Sequence, residues 1–141
     1  MSAMALINID VEDLDRGVAF YTAAFGLHVA RRFGPSAVEL LGAAAPIYLL
    51  EKAPRTTAGP ATTDTRRYSR HWTPVHLDFV VPELDSALQA AVGAGAVLEV
   101  PPVTHAWGKI AQLADPFGHG FCLIEFVGRG YDEIATNAKR A

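Results

Sequence analysis

From residue 6 to residue 11 apolar and polar side chains alternate, with Ile7, Ile9 and Val11 on one side and Leu6, Asn8 and Asp10 on the other. That period of two predicts a half-buried strand. At Leu14 the period lengthens, and Leu14, Val18, Tyr21 and Phe25 fall on one stripe of a helix over 14–25. Asp13 stands where a helix is capped, and Gly26 where one ends. Three short strands are expected next, over 28–33, 37–41 and 47–51, separated by Gly34-Pro35 and by the turn-rich run from Gly42 to Pro46. The unit reads β-α-β-β-β.

The unit then returns. Asp13-Leu14-Asp15 reappears as Glu83-Leu84-Asp85, and the same shift carries Ile7, Ile9 and Val11 onto Leu77, Phe79 and Val81. It also carries Leu6 onto His76 and Asn8 onto Asp78. A strand over 75–81 and a helix from Glu83 to about Ala94 follow, the helix with Leu84, Leu88 and Ala91 as its stripe and Gly95 as its stop. Glu83 is a poorer cap than Asp13. A strand over 96–100 should stop at Pro101-Pro102. Lys109 to Leu113 then leads through Asp115-Pro116-Phe117-Gly118, a sequence suited to a type I turn, into a strand over 121–126.

The modules therefore span about 4–52 and 74–127. Between them, residues 53–73 are rich in Thr, Pro, Gly and Arg, and a connection of that length is either a mobile linker or a flap over a site. The tail over 128–141 carries Tyr131 and Ile134 and reads as a short helix through Asn137, or as a frayed end.

Composition narrows the function without fixing it. The chain has 141 residues, 50% of them hydrophobic and 19% charged, with a formal net charge of −3. One domain with one core is expected. The slight acidity argues against nucleic acid, which requires a basic footprint, and no apolar run approaches the roughly 20 residues that span a bilayer. The opening Met1-Ser2-Ala3-Met4 lacks the pattern of a secretory signal, so the cytoplasm is the expected location. Cys122 is the single cysteine. It has no intrachain partner, and a lone buried thiol usually behaves as a small core residue.

Two segments carry a resemblance. Asp13 to Tyr21 with Phe25-Gly26-Leu27 is similar to the opening helix of the vicinal oxygen chelate superfamily, which includes glyoxalase I, extradiol dioxygenases and bleomycin resistance proteins. Asp115-Pro116-Phe117-Gly118-His119 resembles the Asp-Pro-x-Gly-Asn turn that closes that fold. The resemblance covers residues 6–126. It implies an α+β fold of two tandem βαβββ modules pairing into a half-open barrel, a divalent ion in metal-dependent members, and homodimers that complete or cover the cups.

Alternation then divides the strands into two faces. Ile7, Leu77, Phe121 and Leu123 should pack beneath the helices, leaving Leu6, Asn8, Asp10, Tyr48, Leu50, His76, Asp78, Cys122 and Ile124 to line the cup. Glu51 and Glu125 fall on the helix side. At the ligand positions that the resemblance implies, Leu6 replaces an imidazole, Tyr48 and Cys122 replace frequent carboxylates, and His76 alone is unchanged. A catalytic zinc or iron needs about three donors from imidazole, carboxylate or thiolate. Leu6 offers no lone pair. The inventory thus favours a cup without the usual metal triad, although His76 and Cys122, with Asp78 or Asp10 as a third donor, would be the alternative set.

Two function classes follow. In the first, the chain binds a small hydrophobic or aromatic molecule without transforming it, using Leu6, Asn8, Tyr48, His76, Asp78, Cys122 and, at the rim, Trp107 with His105. In the second, it is a metal-dependent lyase or dioxygenase acting on a keto, diol or thiohemiacetal substrate through zinc, iron, manganese or nickel. A metal-independent variant would use His76 as general base, with Tyr48 or Lys109 stabilising negative charge. Arg66, Arg67 and Arg70 beside Tyr68, His71 and Trp72 are either solvated or a lid that clamps the ligand.

Overall fold

The computed structural model describes residues 1–137, and in it each repeated unit forms its own four-stranded mixed sheet. In the first unit β1 (Ile7–Val11), α1 (Leu14–Phe25), β2 (His28–Arg32), β3 (Ala37–Leu41) and β4 (Ile47–Glu51) follow in order, and the strands lie as β1-β4-β3-β2. The second unit repeats this with β5 (Leu77–Val80), α2 (Leu84–Ala94), β6 (Val97–His105), β7 (Gly108–Ala114) and β8 (Gly120–Phe126), ordered β5-β8-β7-β6. In both sheets the first strand pairs in parallel with the last, so Asn8 lies opposite Tyr48 and Asp78 opposite Cys122. The fold is the tandem βαβββ arrangement expected from the repeat.

Each helix starts where a carboxylate on the sheet receives it. Asp13 accepts the N–H of Arg16 at 2.9 Å, and Glu51 on β4 accepts that of Leu14 at 2.9 Å, which together satisfy two of the orphan donors at the start of α1. Glu83 makes no side-chain cap for α2. Glu125 on β8 takes that role alone, accepting the N–H of Leu84 at 2.7 Å. Both glutamates therefore face the helices, as alternation required. At the far end of α1, Gly26 adopts φ +66°, a left-handed conformation that favours glycine.

The core lies between sheets and helices. Val11, Val38, Leu40, Ile47 and Leu49 of the first unit and Leu84, Leu113 and Leu123 of the second are fully buried. The close approach of α1 to its sheet uses Gly17, where a Cβ would lie 3.1 Å from Val11 and 3.2 Å from Leu49. The helices also pack on each other, and Phe25 of α1 reaches across to stack on Phe79 of β5 at 4.0 Å. That ring ties the units together.

The second sheet departs from expectation at β6. The strand does not stop at Pro101-Pro102 but continues to His105, with its pairing to β7 slipping between Val100 and Val103. Proline is tolerated because β6 is the outermost strand and the register is already broken there. The tail forms only a single 3-10 turn, Gly130–Glu133, rather than a helix through Asn137, and residues 138–141 lie outside the described residues. No described helix is long and apolar enough to cross a membrane.

Candidate functional site

The edge strands β1 and β5 belong to different sheets, and a cavity of about 520 Å³ lies between them. Leu6, Ile7, Asn8, Ile9 and Asp10 form one wall, and His76, Leu77, Phe79, Gly120 and Phe121 the other. Both faces of β1 contribute because a cavity at a strand edge sees side chains pointing either way. Leu6 and His76, equivalent in the repeat, therefore meet across one space.

Residues 53–73 run as an ordered strap past its mouth. Arg66 donates to the Asp10 carboxylate at 2.8 Å and to the Thr57 carbonyl at 2.5 Å, which fastens the strap to β1. Tyr68 donates its hydroxyl to the Lys52 carbonyl at 2.6 Å, and Arg70 pairs with Glu99 on β6. Arg70 lies over the Trp72 ring, which in turn sits 4.6 Å from the His76 ring. A Cβ on Gly120 would lie 2.1 Å from Cε3 of Trp72, far inside contact distance. His71 and Thr73 complete the cavity lining from this side. With its carboxylate held by Arg66, Asp10 is not a free third donor for an ion.

Two contacts across the units close the floor. Tyr21 of α1 donates to Asp115 Oδ2 at 2.5 Å, while Asp115 Oδ1 accepts the N–H groups of Phe117 and His119 at 2.8 and 2.9 Å. Burial, then the Asp115 charge, raises the Tyr21 phenol well above its usual range. His119 donates from Nε2 to the Asp10 carbonyl at 2.7 Å, and its Nδ1 lies 3.1 Å from Nε2 of His71. His71 and His119 both line the cavity; the sequence pattern places His71 only among the aromatics of a candidate lid and gives His119 no site role. The available signal was His119 itself, which stands where the closing turn was expected to carry asparagine.

The face of the first sheet turned away from α1 carries its own charge network. Glu39, 5% exposed, accepts from Arg31 at 2.8 and 2.7 Å and from the Tyr48 hydroxyl at 2.8 Å. These bonds, that to Arg31 first, hold the Glu39 carboxyl down at about 2, and the bond to Glu39 raises the Tyr48 phenol. A carboxyl lowered on folding contributes stability that is full above its unfolded value near 4.5 and is lost as pH falls toward 2. Arg31→Met should therefore move the acid-unfolding midpoint, followed by circular dichroism, to higher pH. An unchanged midpoint would contradict the network. Tyr48 is committed here and lines no part of the cavity.

On the second sheet the expected residues converge in a different way. One donor atom each from His76, Asp78 and Cys122 lies within 4.8 Å of the others, and His76 Nε2 is 3.3 Å from Asp78 Oδ1. Burial, then Asp78, pushes the Cys122 thiol up to about 11. Only His76 of the three also lines the cavity.

The rim candidates sit elsewhere. Trp107 stacks on His105 at 5.1 Å and packs against Tyr131 at 5.1 Å, in the β6–β7 turn, away from the cavity. Lys109 pairs in register with Glu125 and so lies on the helix side, opposite His76. Neither is placed to contact a molecule held between β1 and β5.

Comparison with known proteins agrees with this architecture. The glyoxalase-like domain family profile matches residues 6–124. The uncharacterized protein Mb0911c of Mycobacterium bovis is 32% identical over 120 residues, covering 80% of this chain and 76% of that protein. A glyoxalase/bleomycin resistance protein/dioxygenase family enzyme from Burkholderia phytofirmans superposes with a TM-score of 0.64 at 20% identity, covering 86% of this chain and 97% of that one. A point mutant of the fosfomycin resistance protein FosX from Listeria monocytogenes, in complex with Mn(II) and 1S,2S-dihydroxypropylphosphonic acid, superposes with a TM-score of 0.67 at 20% identity. That match covers 88% of this chain and 90% of FosX.

Proposed function

Given that the chain belongs to the glyoxalase-like domain family of the vicinal oxygen chelate superfamily, we propose that it binds a small, flat, largely apolar molecule in the cavity between β1 and β5. The cavity itself is the observation that carries this reading. Its volume of about 520 Å³ suits a small organic ligand. Leu6, Ile9, Phe79 and Phe121 offer apolar and aromatic contact, while Asn8 and His76 supply hydrogen-bonding groups to orient the molecule.

Leu6 provides the test, because it precedes β1 and is 48% exposed, so a larger side chain there fills the cavity without disturbing the core. Leu6→Trp should weaken binding of the flat apolar probe N-phenyl-1-naphthylamine by at least about tenfold in a fluorescence titration, close to 1.4 kcal/mol. An affinity within twofold of the parent would contradict the reading.

A metal-assisted lyase or dioxygenase is the second reading, favoured by the convergence of His76, Asp78 and Cys122 and by the Mn(II) that FosX is described with. The positions implied by the family do not by themselves hold an ion. Leu6 has no lone pair, and the Tyr48 hydroxyl is given to Glu39. His76, Asp78 and Cys122 do fit the donor chemistry, and an ion among them would act as a Lewis acid toward vicinal oxygens. His76 is then shared between the donor cluster and the cavity, where it can orient a ligand oxygen.

The chain also fits a homodimer. β6 is an exposed outer strand carrying Val97, Val100 and Val103 at 59%, 42% and 44% exposure, and such edges favour association. Light scattering after size exclusion should give twice the chain mass. A monomer at micromolar concentration would contradict this part.

A further inference from the structure

We propose that His76, Asp78 and Cys122 form a metal site confined to the second module, selective for zinc-class ions rather than for hard, oxygen-seeking ones. The repeat supplies a comparison within the chain. Leu6, Asn8 and Tyr48 occupy the corresponding places in the first module, with Asn8 opposite Tyr48 just as Asp78 is opposite Cys122. The first set contains no imidazole, carboxylate or thiol. Every member of the second is a metal donor.

Geometry supports the same assignment. His76 and Asp78 project from one side of the chain at alternate residues, and the parallel register of β5 with β8 brings Cys122 beside Asp78. All three donor atoms lie within 4.8 Å of one another, and the His76–Asp78 pair is already at 3.3 Å. Zinc bonded to nitrogen, oxygen and sulfur sets donor separations of roughly 3.3–3.6 Å, so a contraction of no more than about 1.5 Å completes the set. Among the described residues no lysine or arginine pairs with Asp78, whose charge remains available to a cation. Cys122 is 5% exposed, a setting that shields a bound thiolate from solvent.

Donor chemistry then selects the ion. A thiolate with an imidazole and one carboxylate suits zinc and cobalt, whereas manganese and magnesium prefer sets made wholly of oxygen or of oxygen with imidazole. Binding requires loss of the Cys122 thiol proton to solvent, so one proton is released as the ion enters. Three protein donors leave one tetrahedral position for water or a ligand oxygen.

Cobalt(II) titration of the full chain, first stripped with chelator, tests the proposal by spectroscopy and without any assay of activity. The parent should show a near-ultraviolet thiolate-to-cobalt charge-transfer band that saturates at one ion per chain, is bleached by zinc and is unaffected by excess manganese. Cys122→Ser, nearly the same size, should abolish the band, and Asp78→Asn should weaken zinc binding by about a hundredfold or more. Circular dichroism on both variants separates loss of the site from loss of the fold. No band in the parent, or zinc affinity unchanged in the two folded variants, would overturn the proposal. Probe binding in excess chelator reports on the cavity separately, so either reading can fail without the other.

Discussion

Asp115→Ala is expected to cost about 3–5 kcal/mol of folding stability. The carboxylate is 3% exposed and accepts from the Tyr21 hydroxyl and from two backbone N–H groups of its own turn. Alanine leaves those donors buried without partners and removes one of the ties between α1 and the second module. Tyr21→Phe should cost less, about 1–3 kcal/mol, because the turn keeps its two backbone bonds. The Tyr21 phenol is raised by burial and by Asp115, so it remains a donor throughout the neutral range. Urea unfolding of the two variants checks the order. Costs below about 1 kcal/mol for both would mean that this bond contributes little to holding the units together.

Gly120→Val is expected to weaken binding of N-phenyl-1-naphthylamine by at least about tenfold while leaving the sheet folded. Valine suits a strand, but its Cβ would occupy the space of the Trp72 ring. Trp72 is 42% exposed, so its expulsion gives up a partly rather than fully buried ring, removes that ring from beside His76 and opens the strap at the cavity mouth. In a Trp107→Phe background the remaining tryptophan emission should shift to the red. Unchanged emission with unchanged affinity would show that the strap does not shape the site.

The two modules were legible because local spacing carries them. The repeat of Asp13-Leu14-Asp15, the helical stripe of Leu14, Val18, Tyr21 and Phe25, and the alternation from Leu6 to Val11 each reflect a period that one element imposes on its own residues. Alternation also placed Glu51 and Glu125 on the helix side, where both now cap helices. Pro101-Pro102 misled because proline is excluded from a central strand and tolerated on an edge, and strand order is not written in local spacing.

The site was less legible for the same physical reason. Alternation sorts side chains by face but does not state which strand edges meet, so a cavity between β1 and β5 does not follow from it. Tyr48 looked like a free aromatic wall, although Glu39 shares its face through antiparallel pairing of β3 with β4 and binds its hydroxyl. The convergence of His76, Asp78 and Cys122 depends on parallel register, and the approach of His71 to His119 on the course of the strap. Neither follows from the order of residues.

A ligand lodged between the two edge strands must perturb the backbone on both sides of the cavity, and amide chemical shifts of the labelled chain titrated with N-phenyl-1-naphthylamine test this directly. The largest changes are predicted at Asn8 on one wall and at Val75, His76 and Gly120 on the other. Changes gathered instead around Trp107 and Tyr131, or absent at saturating probe, would contradict it.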